Sequence, residues 1–263
     1  MDKNFNIYHI KSTYTFCWDE KFVFNGERHS AWEIVFVESG KVCVSEDDKV
    51  YVLEQDNMVF HAPNEFHKIR SYGGSCPVVK VLSFEVDGII PEQLKNGVFT
   101  LDFSEKHEFL QTFDKAQKYF YAKDCGPYDK MEVICRLSAF LICMGQKNSQ
   151  EMFYNSASAL AYRNLVLSMK NNVDKNLSVS DIAKSNFVSV SYMKFLFGKY
   201  AGISPKKYFI DLRIWRVNQL LCQGFSVSEV AEKMNFSSDN YLSSFYKKQT
   251  GMSPKKFVRF YKT

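Results

Sequence analysis

The sequence predicts an α+β protein: an N-terminal β-barrel, a helical segment after it, and an all-α C-terminal domain. Short apolar runs separated by turn residues fill much of residues 5–85, whereas a motif with helical periodicity occurs twice in residues 178–257. Charge divides the chain in the same way. Lys and Arg outnumber Asp and Glu by 17 to 6 from Leu160 onward, but are outnumbered by 23 to 17 before it. This asymmetry indicates that the C-terminal domain binds a polyanion.

The predicted N-terminal strands are short and closely spaced. Turn residues such as Glu38-Ser39-Gly40 and Tyr72-Gly73-Gly74 separate them, and Glu46-Asp47-Asp48-Lys49 is typical of a hairpin tip. Many short strands at regular spacing favour a barrel or a sandwich. The apolar runs that predict the strands are 34–37, 42–44, 50–53, 58–60 and 78–84.

Residues 105–146 have a helical pattern instead. Phe109, Phe113, Ala116 and Phe120 recur at helical spacing, and the set Ile134, Leu137, Leu141 and Met144 does the same beyond the breaker Asp124-Cys125-Gly126-Pro127. This helical pair either forms a dimer contact or packs back on the barrel. A polar, serine-rich segment then predicts an interdomain linker. The predicted domains are the barrel (1–104), the helical pair (105–146), the linker (147–158) and the C-terminal domain (159–263).

The C-terminal domain contains one motif twice. SVSDIA, beginning at Ser178, recurs as SVSEVA 48 residues later, and GISPKKY, beginning at Gly202, recurs as GMSPKKF 49 residues later. Each copy predicts two short helices around a tight turn, with Ser189 capping the second helix of the first copy and Ser237 or Ser238 capping its counterpart. Pro205 begins a long apolar helix that ends near Gln223 and joins the two units. Such a helix would fix their separation, as successive major grooves of DNA require.

The second helix of each copy presents a polar outward face. Lys194 suits guanine acceptors, Asn240 suits adenine, and the serines suit bases or phosphates. Phe195 either contacts a thymine methyl or folds back onto the core. The alternative for the whole set is an ordinary solvated helix surface. The predicted DNA-binding residues are Ser191, Lys194, Phe195, Lys199, Asp239, Asn240, Ser243, Ser244 and Lys247.

These motifs resemble the AraC/XylS family of bacterial transcription regulators. The resemblance covers residues 160–263 and includes Ser189-x2-Tyr192-Met193-x2-Leu196-Phe197, Arg213 in the linker helix, and Gly251-Met252-Ser253-Pro254. Asn235 stands where the family usually has Gly, which Asn replaces because it tolerates left-handed backbone angles. Ser244 stands where many members have Arg. The resemblance implies a homodimeric regulator, an activator by family habit, that binds a double-stranded DNA operator and works with RNA polymerase.

The predicted barrel also contains motifs that resemble those of a known family. His29-x3-Glu33-x6-Gly40 and Pro63-x3-His67 are similar to the two cupin motifs, with Asp56-Asn57 replacing the usual Gly-Asp turn. It implies a pocket for a small-molecule effector, such as a sugar or another polar metabolite. The alternatives are purely structural histidines or a metal site, in which Glu27 stands where another histidine would be. The predicted effector-pocket residues are His29, Glu33 and His67, followed at lower rank by Trp32, Arg70, His61 and Phe66. Trp32 is alternatively a core residue.

The amino-acid composition argues against several further classes of protein. The seven cysteines are scattered without a CxxC pair, which argues against a disulfide framework and fits a reducing cytoplasm. No secretory signal or apolar run of membrane-spanning length is evident, so we expect no membrane partner. We also expect no cofactor, no catalytic residue and no enzyme activity. Two rival hypotheses remain: a metal-dependent cupin enzyme with a DNA-binding tail, and a DNA-binding regulator controlled by a protein partner.

Overall fold

The computed structural model describes residues 5–95, 97–122, 126, 128–147 and 156–261. The chain divides into two compact units, Met1–Asn155 and Ser156–Thr263. No helix in these described ranges is long and apolar enough to cross a membrane. Most of the breaker at residues 124–127 and of the predicted linker lies outside the described residues, although Ala157 and Ser158 already belong to a helix.

Two antiparallel sheets form the first unit. The strands are β1 (Asn6–Cys17), β2 (Trp32–Ser39), β3 (Val42–Glu46), β4 (Lys49–Leu53), β5 (Asn57–His61), β6 (His67–Ser71), β7 (Val78–Asp87) and β8 (Phe99–Thr100). The larger sheet has the strand order β1-β7-β2-β5-β8 and the smaller β4-β3-β6, with the expected hairpin tip between Glu46 and Lys49. Isolated bridges join Val23 to Arg70 and Glu27 to His67 beside β6.

Strands β2 and β5 of the larger sheet are buried on both faces. Successive side chains of a strand point to opposite sides of the sheet, so each strand contributes to two cores. In β2, Ile34 and Phe36 pack in a core that includes the following helices, whereas Val35 and Val37 pack in the core shared with the smaller sheet. This alternation explains the continuous apolar runs of the sequence. It also decides which polar side chains of β2 face the space between the sheets.

Two helices cover the outer face of the larger sheet. They are α1 (Phe103–Tyr121) and α2 (Asp129–Gln146), and Asp102 and Glu105 form a capping box at the start of α1. Phe109 and Phe113 of α1 and Leu137 of α2 are buried in the same core as Phe36. The buried faces of the helical pair therefore pack on the sheet, as one of the two alternatives expected.

The second unit is helical and contains the predicted pair of helix-turn-helix motifs. Ser178, Ser189, Ser204, Ser226 and Ser238 are the N-caps of successive helices, each accepting a hydrogen bond from a backbone N–H. The helices are α3 (Ala157–Asn171), α4 (Val179–Ser185), α5 (Val190–Tyr200), α6 (Pro205–Cys222), α7 (Val227–Lys233), α8 (Asp239–Thr250) and α9 (Pro254–Tyr261).

The turn of each helix-turn-helix motif has one residue in the left-handed region. This residue is Asn235 in the second copy, with φ of 52°, as its replacement of Gly predicts. The corresponding residue of the first copy is Phe187, with φ of 57°. Ala183 and Ala231 are buried at the helix crossings, and their carbonyls accept hydrogen bonds from the backbone after each turn. The two copies thus share one backbone design.

Candidate functional site

The second helix of each copy, α5 and α8, presents the predicted outward face. Met193, Leu196 and Phe197 are buried on the inner side of α5, while Ser191 and Lys194 are exposed on the outer side. On α8, Leu242 and Tyr246 are buried. The side chains exposed on α8 are Asp239, Asn240, Ser244 and Lys247, and Ser243 is half-buried. The structure therefore leaves most of the predicted contact residues accessible.

Two residues of the first outward face have contacts within the protein. The Lys199 ammonium lies 3.2 Å from the Ser158 hydroxyl of α3 and 4.9 Å from the Tyr200 ring centroid. Phe195 is 56% exposed and stacks beside Tyr192, with ring centroids 6.1 Å apart. Phe195 thus does not fold back into the core. Its contact with a thymine methyl stays a prediction.

The side chain of Arg213 connects the linker helix α6 to the second helix-turn-helix motif. Its guanidinium is buried, donates a hydrogen bond to the Met234 carbonyl at 2.7 Å, and lies 4.4 Å from the Phe236 ring centroid. It also reaches Asn176 Oδ1 at 3.4 Å, in the loop before α4. The Asn235 side chain donates to the Asp174 carbonyl of the same loop at 3.0 Å. The loop before the first motif therefore helps to hold the second.

A cavity of about 760 Å³ lies in the first unit, next to the space between the sheets. This volume is in the range of small-molecule sites. One wall is aromatic: Trp18 and Phe22 stack with centroids 4.1 Å apart, and Phe16 stacks on Trp18 at 5.3 Å. The polar lining residues gather at the other end and include Glu27, His29, Glu33, His61, His67 and Ser83.

The polar end is a compact cluster of imidazoles around one carboxylate. His29 Nε2 lies 3.4 Å from Glu33 Oε2, and His67 Nε2 lies 3.3 Å from Glu33 Oε1. His61 stacks on His67 with centroids 4.3 Å apart. Ser83 donates a hydrogen bond to Glu33 Oε2 at 2.9 Å. Such a cluster offers both hydrogen-bonding groups and metal ligands.

Burial and neighbouring charges set the protonation of this cluster. Burial opposes ionisation of Glu33, but the His29 contact and the other two imidazoles outweigh it and lower its pKa to about 2. Burial, followed by the neighbouring His61, lowers the pKa of His67 to about 3. Burial also lowers the pKa of His61. The carboxylate therefore faces two neutral imidazoles at neutral pH, whereas the Glu33 contact raises the pKa of His29.

Strand register determines which of the predicted pocket residues line the cavity. His29, Glu33 and His67 line the cavity, whereas Trp32 and Arg70 are not among the residues that line it. Trp32 precedes Glu33 on β2, so it faces the opposite core, and Arg70 likewise follows the lining residue Ile69 on β6. Phe66 is also absent from the lining, whereas lower-ranked His61 belongs to it.

The aromatic wall was not predicted from the sequence. Tyr14, Phe16, Trp18 and Phe22 lie on β1 or just after it, where the sequence gives no long apolar run. The available signal was the spacing of two between Tyr14, Phe16 and Trp18, which places alternate side chains on one face of a strand. In the structure these four aromatic side chains line the cavity.

Comparisons with known proteins find a family model, a bacterial relative and solved structures that are similar to this chain. Residues 182–259 match the family model described as a helix-turn-helix domain. The chain is 24% identical over 222 residues to the uncharacterised HTH-type transcriptional regulator YfiF of Bacillus subtilis, covering 79% of this chain and 70% of that protein. Among solved structures, ToxT from Vibrio cholerae with bound unsaturated fatty acid aligns over 98% of this chain and 96% of its own, at 16% identity and a TM-score of 0.37. An AraC-type regulator from Chromobacterium violaceum aligns over 40% of this chain and 95% of its own, at 32% identity and a TM-score of 0.35.

Proposed function

We propose that this chain, whose residues 182–259 form a helix-turn-helix domain of the AraC type, is a sequence-specific transcriptional regulator governed by a small-molecule effector. The observation that carries the proposal is the duplicated motif itself. Both second helices begin at a serine cap and expose polar side chains, while their inner faces are buried. A pair of such helices suits reading of two major-groove segments of an operator. This DNA target implies action in the cytoplasm.

The linker helix is the physical reason that the two motifs act together. Helix α6 has 18 residues, which corresponds to a length of about 27 Å. Arg213 anchors it to the turn of the second motif. With both motifs held by one helix and one loop, the operator half-sites have a fixed spacing close to one helical turn of DNA, about 34 Å. Lys194 and Asn240 are the proposed base-reading side chains, and the remaining outward residues position the helices on phosphates.

The cavity of the first unit is the proposed effector site. An aromatic wall suits the apolar face of a ring, and the imidazole and carboxylate end suits hydroxyl groups, which is the combination that a sugar presents. The effector changes transcription only if it binds one arrangement of the protein better than another. We therefore propose a sugar or a related polar metabolite that biases the dimer between two arrangements, with activation through RNA polymerase as its output.

The proposed homodimer is supported by an apolar stripe on α2. Met131, Cys135, Ala139 and Ile142 are exposed at spacings of four, four and three residues, so they lie along one side of the helix, while the opposite side packs on the sheet. A second copy of the chain would bury this stripe. The buried face of α2 therefore does not compete with a dimer contact, because the two uses fall on different faces.

The proposal is tested by footprinting the full-length protein on the DNA flanking its own gene, at fixed salt, with and without a panel of sugars. We expect protection of two successive major-groove segments on one face, changed by one sugar. If no sugar changes the protection, the DNA-binding part of the proposal stands, and the part that names a sugar as the effector is wrong. Salt must be fixed because phosphate contacts make DNA affinity strongly dependent on ionic strength.

A further inference from the structure

Two serine hydroxyl protons at the polar end of the cavity are already used within the protein. The Ser83 hydroxyl donates to Glu33 Oε2 at 2.9 Å, because an ionised carboxylate only accepts. The Ser12 hydroxyl donates in turn to the Ser83 oxygen at 3.0 Å. Both serines line the cavity, but neither has a hydroxyl proton left for an effector. A ligand that needs hydrogen-bond donors from the protein therefore gains none from these two side chains.

Two imidazoles of the cavity likewise hold their Nδ1 protons within the protein. His29 Nδ1 donates to the Ala31 carbonyl at 3.0 Å, and His67 Nδ1 donates to the Glu65 carbonyl at 3.3 Å. In the neutral ring the lone pair is then on Nε2, and both Nε2 atoms are buried without a hydrogen-bond partner among the described residues. The Glu33 contact raises the pKa of His29, so a second proton can satisfy that ring. His67 stays neutral, because burial lowers its pKa.

Hydrogen-bond acceptors therefore meet around His67 Nε2, and the described residues supply no proton for them. Glu33 Oε1 lies 3.3 Å from this nitrogen, and Glu27 Oε1 lies 3.9 Å from it. Two of the three acceptors belong to carboxylates, so their negative charges repel each other. A buried acceptor without a donor is costly, and a bound group that supplies the proton removes that cost. This end of the cavity thus suits a hydrogen-bond donor that carries positive charge.

We propose that the effector is a primary ammonium compound whose N–H groups bind His67 Nε2, Glu33 and Glu27. Its ring packs on the aromatic wall of the cavity. An ammonium has three donors and no acceptor, which complements a group of acceptors. Acceptors 3.3 Å apart can share one N–H in a three-centre hydrogen bond, and Glu27 takes another N–H. The inference rests on the proposed effector cavity and narrows the proposed polar metabolite to a cation.

A carboxylate or an uncharged sugar gains less at this end of the cavity. A carboxylate adds a negative charge beside Glu27 and Glu33, and Lys11, which also lines the cavity, is paired with Glu85 at 3.8 Å. A sugar hydroxyl supplies one proton but no charge. The aromatic wall favours the same choice, because the faces of aromatic rings attract cations. An amino sugar and an arylalkylamine both present an ammonium beside a ring, so the test includes both.

The first test compares cationic, uncharged and anionic ligands of similar shape on the full-length wild-type protein. Isothermal titration calorimetry at neutral pH, fixed salt and with a chelator present measures phenethylamine against phenethyl alcohol and phenylacetate, and glucosamine against glucose. We expect one amine to bind roughly 10–100-fold more tightly than its uncharged partner, the effect of a hydrogen bond to a charged group. The amine that does so identifies the source as an amino sugar or an arylalkylamine.

Three results of this titration would overturn the proposal. They are equal binding of each amine and its uncharged partner, tighter binding of phenylacetate than of phenethylamine, and no binding of either amine at millimolar concentration. Every titration is made without DNA. A negative result therefore removes the ammonium, and the operator footprint still decides the proposed function separately.

The second test uses variants of the two carboxylates. Glu27→Gln should weaken binding of the selected amine by roughly 10-fold and leave its uncharged partner unchanged, because it removes a charge and keeps the side-chain shape. Glu54→Gln is the matched control and should bind as wild type, since its side chain is 54% exposed, against 52% for Glu27, but does not line the cavity. In Glu33→Gln the amide can itself donate to His67 Nε2, so the preference for the amine should be lost.

Wild-type binding of the amine by both Glu27→Gln and Glu33→Gln would contradict the proposed contacts. Circular dichroism separates the loss of a contact from misfolding. If Glu33→Gln does not fold, the comparison of ligands on the wild-type protein and the Glu27→Gln titration still decide the proposal.

Discussion

At the residue scale, side chains on the outward faces of α5 and α8 differ in whether they already have contacts within the protein. Lys194 and Asn240 are exposed, whereas Lys199 already contacts Ser158 and the Tyr200 ring. A side chain engaged within the protein must give up those contacts before it reads a base. Specificity should therefore reside in Lys194 and Asn240 more than in Lys199.

We predict that Lys194→Ala or Asn240→Ala weakens operator binding by about 1–3 kcal/mol if the side chain makes a bidentate base contact. The measurement is affinity for the operator and for a scrambled duplex at the same salt. Lys21→Ala, whose side chain is 87% exposed in the first unit, is the control for loss of one positive charge. An equal loss on both duplexes would assign the residue to phosphate contacts instead.

Phe187 is a second informative residue, because a bulky side chain rarely occupies the left-handed region. It has φ of 57° and is 97% exposed, so little packing offsets its backbone strain. We predict that Phe187→Asn, which copies Asn235 of the second motif, increases the free energy of unfolding of the C-terminal unit by about 0.5–1 kcal/mol. Chemical denaturation measures it. The reciprocal Asn235→Phe should destabilise, since it also removes the hydrogen bond to the Asp174 carbonyl; a stabilised Asn235→Phe would contradict the strain argument.

At the element scale, the first helix of each motif begins with a capping box. Ser178 pairs with Asp181 in α4, and Ser226 pairs with Glu229 in α7. The serine hydrogen bonds lower the pKa of both carboxyl groups. Because their folded pKa lies below the ordinary values of 3.8 and 4.5, the stabilisation is present above those values and is lost as the pH falls through the folded pKa.

We therefore predict that the double variant Asp181→Asn/Glu229→Gln lowers the melting temperature of the C-terminal unit at pH 7 but not at pH values below the lowered pKa values of the two carboxyl groups. Thermal unfolding followed by circular dichroism across this range is the measurement. Glu232→Gln, an exposed carboxylate of α7 outside the capping box, is the control. A difference between variant and wild type that does not change with pH would show that the charge of the caps is unimportant.

The attachment of the linker helix α6 to the second motif depends on one buried side chain, the guanidinium of Arg213. We predict that Arg213→Lys lowers the free energy of unfolding by about 1–3 kcal/mol, because an ammonium cannot both pack flat on Phe236 and donate to Met234 and Asn176. Urea unfolding measures the change. Arg216→Lys, less than one turn away with a side chain 36% exposed, is the matched control and should change stability by less than about 0.5 kcal/mol. Equal effects of the two variants would contradict the role of Arg213.

The two units differ in how far the sequence predicts them. The helix-turn-helix motifs follow from local rules, namely serine caps, buried positions at helical spacing and a left-handed turn residue, so α4, α5, α7 and α8 agree with the prediction. The cavity depends instead on strand register, which is set by pairing between distant residues. Trp32 and Glu33 are neighbours in sequence but face opposite cores, and only the pairing of β2 with β5 brings His61 to Glu33.

At the scale of the whole molecule, dimerisation is the proposed link between effector and operator. The stripe of Met131, Cys135, Ala139 and Ile142 is the proposed contact, since the same helix packs through Leu137 and Phe140 on the sheet beside the proposed effector cavity. A ligand that changes the packing of the sheet would act on α2 from its buried side. The exposed side would then transmit that change to the second copy.

We predict that Ile142→Glu shifts the full-length protein from dimer to monomer, because a buried, unpaired carboxylate in an apolar contact is strongly unfavourable. Sedimentation equilibrium measures the dissociation constant, and the variant should also need a higher protein concentration to protect the operator. Gln111→Glu, which adds the same charge at an exposed position of α1, is the control. If Ile142→Glu remains a dimer with the wild-type dissociation constant, the stripe is not the dimer contact, and the coupling between cavity and operator has to pass through another surface.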